Sequence, residues 1–135
     1  MGEVLHTYKL MIAEKHLDTF GHVNNAVYLE LLEEARWDLI TSRGFGLSKI
    51  QKTGLGPVIL EIHMKFKKEL TLRTMISIET KSMGYKSKIG TLSQVIKNEA
   101  GDICFEATLV YGLFDTHERK LVAPTKEWLF AVGIE

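Results

Sequence analysis

Asp18, Gly21, His22, Asn24 and Asn25 fall within a single short stretch, and the only long helical pattern of the chain begins directly after it. A loop carboxylate such as Asp18 can take a proton or attack an electrophile. The first turn of a helix offers unpaired backbone N–H groups at the positive end of its dipole, where a developing negative charge is stabilised. Together these groups suit hydrolysis of an activated acyl compound. Asp-Thr-x-Gly is also ordinary turn chemistry, so Asp18 has a second reading as a turn or capping residue. Asn24 or Asn25 caps the helix, and the backbone at Asn25 and Ala26 is the candidate oxyanion donor. Gly21 permits a tight turn or a close substrate approach. His22 either fixes the loop by hydrogen bonds, the favoured reading, or meets substrate.

The elements that must hold these groups follow from periodicity. Tyr28, Leu31, Leu32, Ala35, Leu39 and Ile40 recur at three- and four-residue steps, which predicts a helix from Asn25 to Arg43, stopped at Gly44. At ~1.5 Å per residue it is nearly 30 Å long, and only a broad sheet covers so long a stripe. Strands are expected at Val4 to Ile12, Pro57 to Lys67, Leu72 to Lys81, Ser87 to Lys97 and Ile103 to Phe114. Leu60, Ile62, Met64 and Phe66 are expected on one face of the second, and Leu72, Thr74, Ile76 and Ile78 on one face of the third. Gly44 to Pro57 reads as a connecting segment with room for one short helical turn, Met83-Gly84-Tyr85 as a turn and residues 98–102 as a hairpin loop. Pro124 opens a short C-terminal helix. One helix laid on an antiparallel sheet is an α+β domain, and residues 1–135 form a single such domain.

Seventeen basic and 17 acidic side chains cancel and mean hydropathy is zero, so no global field points to nucleic acid or to a membrane surface. Cys104 is the only cysteine, which excludes an internal disulfide, and its apolar neighbours make it a core residue rather than a nucleophile. His16, His22 and His63 lack ligand spacing, so no metal and no cofactor is expected. No leader pattern opens the chain and no apolar run approaches a membrane span, so a cytoplasmic protein is expected.

An acid, three residues, then His-Val-Asn-Asn-Ala, Tyr28 two residues on and Glu-Glu-Ala-Arg-Trp resembles the bacterial acyl-CoA thioesterases of the hot-dog superfamily. The likeness is nearest to the long-chain acyl-CoA thioesterases of the 4-hydroxybenzoyl-CoA thioesterase group. It is dense from His16 to Trp37 and continues through the turn at Gly84 to Ser87 and the strand at Gly90 to Ile96. The resemblance implies a hot-dog fold, an antiparallel sheet wrapped round one long helix, and a homodimer or tetramer with sites between subunits.

It also implies that Asp18 is catalytic, as general base or as nucleophile through a mixed anhydride, on an acyl-CoA or a carrier-protein thioester. A related subgroup carries its acid on the helix, which keeps Glu30 and Glu34 as reserves. Tyr28, Phe20 and Leu32 are candidates for lining an acyl channel. Lys86, Ser87 and Lys88 are the natural cluster for coenzyme A phosphates, with Lys65, Lys67, Lys68 and Arg73 as a second group. The rival function is a non-catalytic acyl-CoA binding or sensing domain.

Overall fold

The computed structural model describes residues 3–135. The long helix forms where its stripe requires. Helix α1 spans Asn25–Ser42 and buries Tyr28, Leu31, Leu32, Ala35, Leu39 and Ile40. Leu31, Leu32, Leu39 and Ile40 each contribute about 1.5–3 kcal/mol on leaving water, which fixes the helix to the sheet rather than its propensity alone. The Asn24 side chain caps it by accepting from the Ala26 N–H at 3.2 Å, and the Arg43 N–H closes the far end on Ile40 and Thr41 carbonyls.

The sheet is antiparallel throughout. Strands β1 (Leu5–Met11), β2 (Leu55–Phe66), β3 (Met75–Lys86), β4 (Ile89–Lys97) and β5 (Ile103–Asp115) lie in the order β1-β3-β4-β5-β2, and short β6 (Lys120–Val122) pairs with β5 beyond the end of β4. Their inward residues, among them Ile76, Ile78, Leu92, Ile96, Phe105, Leu109 and Leu113, are buried against α1. This is the expected hot-dog arrangement. Helix α3 (Lys126–Ala131) closes one end of the core with Trp128, and β2, the twelve-residue strand that follows the helices, forms a free edge.

Several sequence expectations are corrected. The connection after α1 holds a two-turn helix, α2 (Leu47–Thr53), rather than a single turn. The third strand starts at Met75, not Leu72, because Arg73 takes a left-handed φ of 61° in a turn and leaves Leu72 exposed. Gly84 is no turn: it sits at a register shift inside β3, and the chain reverses instead at Ser87-Lys88, where Ser87 has φ 57°. Alternation along β2 breaks at Leu60, a bulge, so that Pro57 and Ile59 share the inward face with Ile62, Met64 and Phe66 while Leu60 is 43% exposed.

Candidate active site

The Asp18 loop is a small hairpin closed by its own side chain. Leu17 and Val23 form an isolated antiparallel bridge, the Asp18 N–H donates to the His22 carbonyl at 2.8 Å, and the Gly21 N–H donates to the Asp18 carbonyl at 3.1 Å. Gly21 has φ 80°, with open space where a Cβ would sit, so backbone geometry rather than crowding selects glycine there. Asp18 Oδ1 accepts from the Phe20 N–H at 2.9 Å and from the His22 N–H at 3.0 Å. The His22 N–H, and then the Phe20 N–H, hold the carboxyl below the ordinary aspartate value, so it is an anion at neutral pH. Oδ2 accepts no hydrogen bond from the described residues and is exposed to solvent. Turn residue and chemically free carboxylate are therefore one and the same side chain.

Directly after the loop, the Val27 N–H donates to the Asn24 carbonyl and the Ala26 N–H is taken by the Asn24 cap. Among the described residues the Asn25 N–H has no acceptor. Of the two backbone groups expected to hold an oxyanion, Asn25 presents a free donor and Ala26 an engaged one. Tyr28, in the first turn of α1, is buried, stacked on Phe105 with centroids 4.9 Å apart and edge-on to Phe66 at 5.0 Å, so its ring is part of the core. His22 secures the loop through its backbone; its ring is largely exposed, with Nε2 3.8 Å from Glu69 Oε1. Phe20 stands 83% exposed at the loop tip.

The other candidates are dispersed. Glu34 accepts the Tyr8 hydroxyl, a bond that together with burial and the Glu34 charge pushes that phenol up to about 12. Lys67, Lys68 and Arg73 are paired with Glu106, Asp102 and Glu14. Lys86, Ser87 and Lys88 form the β3–β4 turn, whereas the Asp18 loop lies at the other end of the sheet, beside Glu69. The nine residues of β4 separate the two ends by roughly 30 Å at ~3.3 Å per residue. Within one chain these groups do not converge. Among the described residues no cluster of His, Cys, Asp and Glu could hold a metal, and no helix is long and apolar enough to cross a membrane.

A second feature was not anticipated. A cavity of about 130 Å³ lies between α1, β2 and α3, lined by Arg36, Trp37, Ile40, Ile59, Tyr111 and Trp128 among others. Above it, Gln94 is fully buried: its Nε2 donates to the Leu32 carbonyl at 3.1 Å and to Thr80 Oγ1 at 3.0 Å, and its Oε1 accepts from Arg36 at 3.0 Å. The signal for this network was present as a polar residue at an inward position between Leu92 and Ile96.

The family model of the Thioesterase-like superfamily matches residues 14–131. The long-chain acyl-CoA thioesterase FadM of Escherichia coli (strain K12) is 34% identical over 110 residues, 80% of this chain and 82% of that protein. Among solved structures, a probable thioesterase from Escherichia coli, YbaW, superposes with TM-score 0.82 at 27% identity, covering 96% of this chain and 99% of that one. A Staphylococcus aureus protein in complex with CoA superposes with TM-score 0.88 at 18% identity over 98% of this chain and 84% of its own, which shows the shared fold.

Proposed function

The chain belongs to the Thioesterase-like superfamily, and we propose that within it this protein hydrolyses acyl-CoA thioesters to free acid and coenzyme A, with Asp18 as the reacting carboxylate. The observation that carries the reading is the pairing of a free, anionic Asp18 Oδ2 with the unengaged Asn25 N–H at the start of α1. A thioester carbonyl seated at the helix start directs its oxygen to the Asn25 N–H, where the developing oxyanion meets a preset donor and the dipole of an eighteen-residue helix. Asp18 then either removes a proton from water, whose oxygen bonds to the carbonyl carbon, or attacks that carbon itself and gives an anhydride that water opens. In both routes the C–S bond breaks and the coenzyme leaves as a thiol once protonated. Long-chain acyl-CoA is the substrate named for the Escherichia coli relative and is the first to try here.

Coenzyme binding is assigned to a homodimer. The free β2 edge offers a row of unpaired backbone groups to a second copy. Antiparallel pairing of two β2 strands reverses end for end. In such a dimer the hairpin of the partner subunit, with its equivalents of Lys86, Ser87 and Lys88, would come to the end of the sheet that holds the Asp18 loop, where its lysines would meet the phosphates. Gly21 and His22 keep the loop in shape for the substrate, and Tyr28 anchors the first turn of α1 in the core.

The test is thiol release, read with a thiol reagent, over a panel of acyl-CoA and acyl carrier protein substrates. Turnover of acyl-CoA supports the assignment. Tight binding of acyl-CoA without turnover overturns it in favour of a sensing role.

A further inference from the structure

Tyr111 carries a buried hydroxyl without a partner. The residue is 2% exposed, its Oη has no hydrogen-bond partner among the described residues, and burial pushes the phenol well above its ordinary value, so the group is a protonated donor. Space for the ring is provided by Gly90 on the neighbouring strand, where a Cβ would fall 2.5 Å from Cζ and 2.7 Å from Oη. Phenylalanine would fill the same space without stranding a polar atom, so packing alone does not call for tyrosine. Tyr111 lines the cavity between α1, β2 and α3, together with Arg36. The Arg36 guanidinium has no carboxylate within ion-pair distance among the described residues and spends one bond on Gln94, leaving further donors free. The Glu33 carboxylate also lines the cavity and its charge supports that of Arg36, yet no acceptor among the described residues reaches the Tyr111 hydroxyl, which is left as an unmatched donor in the lining.

Its place along α1 sets the ligand that reaches it. Glu33, Arg36, Trp37 and Ile40 lie between eight and fifteen residues beyond Asn25, or about 12 to 22 Å at ~1.5 Å per residue. Ala26, Leu29, Glu33 and Trp37 follow one another along the intervening helix face, and Leu29 is 39% exposed on it. A thioester whose carbonyl sits at the Asn25 N–H reaches the cavity only with an extended chain, since a single aromatic ring is too short. Resting on the acyl thioester reading for the position of the carbonyl, we propose that this cavity receives the far end of a medium-length acyl chain, and that Tyr111 selects chains bearing a hydrogen-bonding oxygen at that end.

The protein supplies its own reporter, because Trp37 and Trp128 are its only tryptophans and both line the cavity. Intrinsic fluorescence titrated with dodecanoic acid and with ω-hydroxydodecanoic acid reads occupancy without any thioester chemistry. The wild type is expected to bind the hydroxy acid at least tenfold more tightly, and Tyr111→Phe to bring the two acids within threefold. Dodecanedioic acid separates the two end groups: a preference for it over the hydroxy acid assigns the end to a carboxylate held by Tyr111 with Arg36, and the opposite order assigns it to a hydroxyl; either supports the proposal. Equal affinities in the wild type, a preference that survives in Tyr111→Phe, or no fluorescence response overturns it. A fluorescence response with no thiol release from any acyl-CoA removes the hydrolase reading instead, so the two failures are distinct.

Discussion

Replacing Asp18 with asparagine separates the two roles this side chain holds. Oδ1 accepts the Phe20 and His22 N–H groups at 2.9 and 3.0 Å, and an asparagine carbonyl can accept both in the same geometry. The loop is further closed by the two backbone bonds from Asp18 and Gly21, which the substitution does not touch. The side chain is exposed, so the melting temperature should move little. What changes is Oδ2, which becomes an amide NH₂ with neither charge nor basicity. A positioned base contributes about 10²–10⁴ in rate, so kcat should fall by that factor while KM stays near its wild-type value. Asp18→Ala is the companion variant: it removes the turn acceptor as well and should raise KM in addition. The assay is steady-state thiol release with one well-hydrolysed acyl-CoA, alongside a thermal melt of each variant. A folded Asp18→Asn protein keeping a third or more of wild-type kcat would refute the assignment. Glu30 would be tested next, followed by Glu34, whose carboxylate must first release the Tyr8 hydroxyl.

Because the Asp18 carboxyl is held below its ordinary value, its reactive anion persists through neutral pH and is lost only as pH falls through the folded-state value. The kcat/KM profile should therefore stay flat across neutral pH and decline only below the usual carboxylate range, and Asp18→Asn should lack that limb. Lys86→Ala with Lys88→Ala should raise KM with kcat nearly unchanged, because phosphate contacts act equally on ground and transition states; an unaltered KM removes the hairpin from the site. Gly90→Ala forces a methyl group to 2.5 Å from the Tyr111 ring and should cost about 1–3 kcal/mol in equilibrium denaturation, most of it recovered in Gly90→Ala with Tyr111→Leu. Sedimentation at micromolar concentration should give a dimer, and a lone 15.3 kDa species would rule out pairing through β2.

Features set by neighbours in the chain were legible in the sequence. The span of α1 agrees with its apolar stripe to within a residue at its far end, since a 3.6-residue period and an Asn24 cap are local properties. The Asp18 loop was legible for the same reason: an aspartate, a glycine three residues on and a helix start specify a turn that neighbouring backbone alone can close. Tertiary structure decided what depends on partners distant in the chain. Strand alternation could not reveal the bulge at Leu60 or the shift at Gly84, because register is a relation between two strands and either strand alone looks regular. It could not separate Lys86 to Lys88 from Asp18, whose distance is set by the length of β4 and the order of the sheet. Nor could it assemble Arg36, Gln94, Tyr111 and Trp128, which come from α1, β4, β5 and α3 and meet only when the sheet closes over the helix. The chemistry of the loop is a local fact, whereas the shape of what it acts on belongs to the packing.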